Sequence, residues 1–164
     1  MKIVDILAEP LVVAALAGRS KDEVIEELAT VVAEHHPEID RARLVAALED
    51  RERLNSTALG EGVAIPHGKL AGVKRVVAAF GRSPGGVDFS SLDGKPTHLF
   101  FLLVAPEDSA GAHLKALARV TRASVSTKSA LRRSGRARSA ARSTANGLAT
   151  RALRRATTSR TKRR

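Results

Sequence analysis

The chain has 164 residues, 43% of them hydrophobic, with four Phe, no Trp, no Tyr and no Cys. This is one ordinary domain with a core of Val, Leu, Ile and Ala; it excludes disulfides, thiolate zinc sites and cysteine nucleophiles, and it leaves too few rings for a single-strand stacking platform. The net charge of +11 is unevenly spread: residues 1–120 hold 17 acidic and 14 basic side chains, residues 121–164 hold 14 basic and no acidic ones. No apolar run approaches the ~20 residues that cross a bilayer. The start, Met1-Lys2-Ile3-Val4-Asp5, lacks the features of a secretory signal, so the expected compartment is the cytoplasm.

Ile3 to Leu7 and Leu11 to Leu16 are short apolar stretches broken at Pro10; Val12 and Val13 suit a short strand stopped at Gly18. Ser20 with Glu23 reads as a capping box. Val24, Ile25, Leu28, Val31 and Val32 follow at helical spacing, with Glu26, Glu27 and Glu34 outward, and His35-His36-Pro37 ends that helix. Asp40 caps a second helix with Leu44, Val45 and Leu48 on its apolar face and Arg51 and Arg53 near its C-terminus, where cations suit the dipole. From Leu59 the texture changes to a glycine-punctuated strand that ends in a tight turn at Pro66-His67-Gly68. Gly60-Glu61-Gly62 lacks the Lys-Ser/Thr and the helix of a phosphate loop. Arg75 to Gly81 is a further apolar segment, and Ser83-Pro84-Gly85-Gly86 and Leu92-Asp93-Gly94-Lys95-Pro96 read as turns. His98 to Ala105, bounded by Pro96 and Pro106, reads as a central strand buried on both faces. A helix with His113, Leu114, Leu117 and Val120 starts near Ser109. The pattern predicts a three-layer α/β domain over 1–120, a central mixed sheet flanked by helices.

Residues 121–164 contain 12 Arg, 9 Ala and 14 Ser or Thr. Val125, Leu131, Leu148 and Leu153 are their only large apolar side chains, too few to offset the entropy of ordering. The expectation is a basic, disordered tail, able to bind phosphate backbones non-specifically or an anionic membrane surface.

Five histidines are candidates for chemistry: His35, His36, His67, His98 and His113. The adjacent His35 and His36 have no spaced partner, and His98 opens a strand; no metal site and no cofactor are expected. His67 stands apart because Pro66 restricts the backbone before it and Gly68 permits close approach after it. An imidazole held in that way is a suitable nucleophile toward a phosphoryl donor.

The stretch Arg51-Glu52-Arg53-Leu54-Asn55-Ser56-Thr57 through Leu59-Gly60-Glu61-Gly62-Val63-Ala64-Ile65-Pro66-His67-Gly68-Lys69 resembles the signature of the fructose/mannitol-type (type 2) enzyme IIA domains of the bacterial phosphoenolpyruvate-dependent phosphotransferase system, nitrogen-regulatory relatives included. Val87-Asp88-Phe89 through Pro96, and Val104-Ala105-Pro106 followed by His113-Leu114-Lys115, resemble the same family. The resemblance covers about residues 1–122. It implies a phosphocarrier, a phosphotransferase whose histidine, here His67, accepts a phosphoryl group from a histidine-containing phosphocarrier protein. It places an assisting histidine at His113 and a phosphate-binding arginine at Arg51, with Thr57 or Ser56 near the phosphate. A guanidinium fork can stabilise the transferring group without a metal. The acceptor is then a permease IIB unit or a regulated protein, and the free-standing length leans to the nitrogen-type reading. Where relatives continue in acidic, Leu-rich helices, this chain turns abruptly to Arg, Ala, Ser and Thr, the composition of a shifted reading frame in GC-rich DNA. A reading of another class is a non-catalytic, basic-tailed nucleic-acid-binding protein with a degenerate carrier domain.

Overall fold

The run between Pro96 and Pro106 is the spine of the sheet in a computed structural model that describes residues 7–133, with the backbone alone at 110, 123 and 125–133. In chain order the elements are β1 (Leu7–Val13), α1 (Lys21–His35), α2 (Arg41–Leu54), β2 (Ala58–Gly60), β3 (Val63–Ala64), β4 (His67–Leu70), β5 (Val77–Val87), β6 (Thr97–Pro106) and α3 (Ala110–Arg133). Ile3 to Ile6 and the tail beyond Arg133 lie outside the described residues. Among the described residues no helix is long and apolar enough to cross a membrane. The chain divides by its internal contacts after Thr121, and the sheet and the site below belong to the first unit.

The sheet is mixed, with strand order β1-β5-β6-β3-β2 and β4 also on β6. β6 runs antiparallel to β5 and parallel to both β3 and β4. Side chains alternate across it. Phe100, Leu102 and Val104 join a core with Val24, Ile25, Leu28 and Val32 of α1 and Leu44 and Leu48 of α2. Phe101, Leu103 and Ala105 face a second cluster, closed by Ala116 and Val120 of α3. The central strand is therefore buried on both faces, as its unbroken apolar run predicts, and the expected three layers are present.

Both helix starts are capped. The Ser20 hydroxyl accepts from the Glu23 N–H at 3.3 Å, and the Asp40 carboxylate from the Arg43 N–H at 2.8 Å. Glu23 returns its bond to the Arg19 N–H, one residue before the cap. Glu27 departs from its expected outward pose: its carboxylate accepts the Ala17 and Gly18 N–H groups and ties the approach to α1 onto the helix.

Three expectations change. Ser83-Pro84-Gly85-Gly86 is not a turn between strands, because β5 continues through it to Val87, with the register to β6 shifting between Arg82 and Val87. A bulge accommodates Pro84 without a ladder hydrogen bond. His98 Nδ1 donates to the Ser83 carbonyl at 3.0 Å, a structural use of that ring. Gly86 is required here, with φ at +76° and a Cβ position only 2.7 Å from His98 Cε1. Second, Gly60, Glu61 and Gly62 all take positive φ, making the tight turn of a β2–β3 hairpin; Pro66-His67 lies after it, and His67 opens β4. Third, residues 121–133, expected to belong to a disordered tail, are helical backbone of α3.

Candidate functional site

The site forms where the ladder along β6 is interrupted. β3 pairs with Leu99 and Phe100, and β4 resumes on the same side of β6 with His67 opposite Leu103. Ile65 and Pro66 bridge the gap. The Pro66 carbonyl accepts the Leu103 N–H at 2.9 Å, and the Ile65 N–H donates to the Thr57 carbonyl at 3.0 Å. Pro66, lacking an N–H, asks nothing of the ladder at the break. His67 is thus fixed at a strand start.

Both nitrogens of its ring are engaged. Nδ1 lies 2.7 Å from the Ile65 carbonyl, which can only accept, so Nδ1 carries the proton. Nε2 lies 3.1 Å from Arg51 Nε, which can only donate, so Nε2 presents its lone pair. Arg51 comes from the last turn of α2 and is itself held by a bond from its guanidinium to the Asn55 carbonyl at 3.0 Å. His113, from the start of α3, places its ring 5.3 Å from that of His67 at 57°. The three residues expected at one site, Arg51, His67 and His113, therefore converge.

The electrostatics favour neutral rings. Burial holds the His67 imidazole below its ordinary pKa, and the Arg51 charge adds to this against the opposing Ile65 bond and Glu52 charge. Burial also lowers His113, followed by the charges of His67, Lys69 and Arg51. A neutral imidazole whose Nε2 pair faces the Arg51 guanidinium, with a second imidazole beside it, can accept an electrophile that carries negative oxygens once that guanidinium bond is exchanged.

Comparison with known proteins places the chain in a family. The family profile "Phosphoenolpyruvate-dependent sugar phosphotransferase system, EIIA 2" matches residues 5–140. The chain belongs to this EIIA type 2 family. It is 44% identical over 122 residues to a nitrogen regulatory protein of Bradyrhizobium diazoefficiens, spanning 74% of this chain and 79% of that one. It is 41% identical over 121 residues to the fructose-specific EIIABC component of Bacillus subtilis, spanning 74% of this chain and 19% of that longer protein. Its fold matches the crystal structure of the nitrogen regulatory protein IIA-Ntr from Neisseria meningitidis with a TM-score of 0.74 and 36% identity, over 89% of this chain and 98% of that one.

The remaining expected residues of this EIIA-type chain sit as follows. Ser56 donates its hydroxyl to the Phe89 carbonyl at 2.8 Å, and Thr57 donates its own to Glu52 Oε2 at 2.5 Å, so both hydroxyls are committed to the scaffold. His35 Nδ1 bonds within its own helix to the Val31 carbonyl at 2.9 Å. His36 is part-buried, with Nδ1 3.2 Å from Glu38 Oε1. Gly68 packs on α2, but a Cβ there would meet Ala47 at an ordinary 3.5 Å, so space alone does not demand glycine.

Sequence reasoning missed Glu52. It is only 7% exposed, and its carboxylate accepts from the Thr57 N–H and hydroxyl and from Lys21 Nζ at 3.1 Å. The signal was present: Leu44, Leu48 and Glu52 recur every four residues, which places a carboxylate on the buried stripe of α2.

Proposed function

We propose that the chain is a phosphocarrier in which His67 Nε2 takes a phosphoryl group from a histidine-containing phosphocarrier protein. The observation that carries this reading is the pair of fixed bonds to the ring, Nδ1–H to the Ile65 carbonyl and Arg51 Nε–H to Nε2. As the phosphorus approaches, the Nε2 pair forms the new P–N bond, the donor's P–N bond breaks, and the donor imidazole keeps that electron pair. Positive charge develops on the His67 ring, and the Nδ1–H leans on the Ile65 carbonyl. The Arg51 guanidinium turns its donors from Nε2 to the phosphoryl oxygens, and His113 donates to the same oxygens. Ser56 and Thr57 serve by holding the segment between α2 and β2. The transfer is cytoplasmic, and residues 1–120 carry it; the 14 basic residues of 121–164 give salt-dependent binding to polyanions as a separate property.

The output we favour is regulatory, with partners bound according to phosphorylation state. It is supported by the 36% identity and 98% coverage of a structure named as a nitrogen regulatory protein. Transfer to a sugar permease IIB unit is the second reading, supported by the 41% identity to a fructose-specific component. Incubation with phosphoenolpyruvate, enzyme I and the histidine phosphocarrier tests the carrier reading. Acid-labile label on the chain, lost in His67→Ala, is expected; full labelling of that variant would remove His67 from the role.

A further inference from the structure

A line of hydrogen bonds runs from the N-terminus of α1 to the His67 ring. Lys21 Nζ is held 5.0 Å over the Phe89 ring and donates to Glu52 Oε1 at 3.1 Å. The Glu52 carboxylate accepts the Thr57 N–H at 3.0 Å and the Thr57 hydroxyl at 2.5 Å. The Thr57 carbonyl accepts the Ile65 N–H at 3.0 Å. The Ile65 carbonyl then accepts the proton of His67 Nδ1 at 2.7 Å. Every donor that meets Glu52 needs an acceptor, so the position suits only a carboxylate. An amide would set its NH₂ against the Thr57 donors or the Lys21 ammonium and break one bond.

The cost of that carboxylate points to a role beyond packing. Leu44 and Leu48, one and two turns earlier on the same stripe, show that an apolar side chain fits this face of α2. A buried ion pair such as Lys21–Glu52 contributes little to stability relative to an apolar replacement, and in some proteins such pairs serve to specify geometry. What it specifies is the height of residues 55–57 against the end of α2. Ile65 is anchored to that segment, and its peptide has no strand ladder of its own, because β3 ends at Ala64 and β4 starts at His67.

We propose that Glu52 is a positioning residue for His67: through Thr57 and the Ile65 peptide it fixes the imidazole as its Nδ1–H tautomer and so keeps Nε2 as the reacting nitrogen. The proposal rests on the carrier reading for its kinetic consequence, but not for its effect on the ring. Lys21 completes the line at a cleft of about 200 Å³ lined by Lys21, Asp22, Ile25, Glu49, Glu52 and Arg53. The cationic end of the line is thus open to solvent while the Glu52 end is enclosed.

The test uses the full chain labelled with ¹⁵N-histidine, at a pH where the rings are neutral. In the native chain, His67 is expected to give the nitrogen shifts of an Nδ1–H ring, with that proton in slow exchange. In Glu52→Gln the pattern is expected to move toward a tautomer mixture with fast exchange, and phosphorylation by the histidine phosphocarrier to slow by roughly 10–100-fold, the size of effect found when the outer partner that orients a metal-binding histidine is lost. Thr57→Ser, which keeps the hydroxyl, is expected to retain both the pattern and the rate. If Glu52→Gln fails to fold, Thr57→Val, which removes the hydroxyl alone, is read in the same way with the same two expectations. A Glu52→Gln ring with native shifts and exchange overturns the proposal, whether or not transfer has slowed. A native chain that takes no phosphoryl group overturns the carrier reading and leaves the ring test standing.

Discussion

The two faces of the sheet are covered unequally, and the site draws on both. On one face, two side-chain-capped helices press Val24, Ile25, Leu28, Leu44 and Leu48 onto Phe100, Leu102 and Val104, all nearly fully buried. On the other, α3 contributes Ala116 and Val120 to a smaller cluster, and Leu114, next to His113, stays 65% exposed. Arg51 and Glu52 belong to the first face, His113 to the second, and His67 sits at the break in β6's ladder where the two meet. Under the proposed carrier role the labour is divided: the densely packed side sets the tautomer and approach of the His67 ring, and the lightly packed side supplies the second ring. A reacting nitrogen needs the first kind of support more, because transfer depends on orientation before it depends on extra charge.

Substitutions can break that comparison. The largest effect expected is at the meeting point: His67→Ala abolishes acid-labile labelling while its far-UV dichroism stays native. Next comes the packed side. Arg51→Lys keeps the charge but loses the planar fork, and transfer should slow by roughly 10²-fold. His113→Ala, on the lighter side, should slow it by only about tenfold, the equivalent of one hydrogen bond in the transition state. Stopped-flow or quench labelling reads both. Equal effects would erase the asymmetry, and unchanged rates in both variants would remove the two residues from the site.

Stability sharpens the same contrast. Leu48→Ala, at 1% exposure between α2 and the sheet, should cost about 3 kcal/mol in chemical denaturation. Val120→Ala, on the face covered by α3, should cost about 1.5 kcal/mol, roughly two buried carbons. A Val120 variant as damaging as the Leu48 one would mean that α3 is as integral as α2.

The titration of the two rings has a definite sign. Both His67 and His113 sit below the ordinary histidine value in the folded chain. Their neutral forms are therefore favoured by folding, and the contribution is fully present above the unfolded value near 6.5. It is lost as pH falls from there through the folded values. Unfolding midpoints should be flat from pH 8 to about 6.5 and then decline, and the decline should be shallower in a His67→Gln, His113→Gln double variant. The smallest effect expected is that of Gly68→Ala. Ordinary contact with Ala47 and no positive φ imply a change within about 1 kcal/mol in the free energy of unfolding, read by chemical denaturation.

Much of this was legible in the chain. The caps at Ser20 and Asp40, the 3.6-residue spacing after each, and the proline-bounded run ending at Ala105 each report one local cause, and each appears where its pattern places it. The Arg51, His67 and His113 trio was readable only from the family-like motifs, since nothing local joins three residues so far apart. What the chain concealed depended on tertiary context. Ser83-Pro84-Gly85-Gly86 has turn chemistry, yet the strand passes through it because a bulge and the His98 bond to Ser83 absorb the irregularity. His67 looked like a turn residue because Pro66 and Gly68 flank it, and only the partner strand β6 makes it the start of β4. Glu52 carries no local mark of a special role beside Arg51 and Arg53, and only its place on the Leu44–Leu48 stripe marks it as buried.

The central claim is that the packed side leaves His67 one reactive nitrogen, Nε2. The direct measurement is the isomer of phosphohistidine formed when the full chain is charged with phosphoenolpyruvate, enzyme I and the histidine phosphocarrier, read from phosphorus–nitrogen couplings in ¹⁵N-histidine-labelled protein. The account expects phosphorus on Nε2 of His67, with the ring proton remaining on Nδ1. Phosphorus on Nδ1 of His67, or on His113, would contradict it.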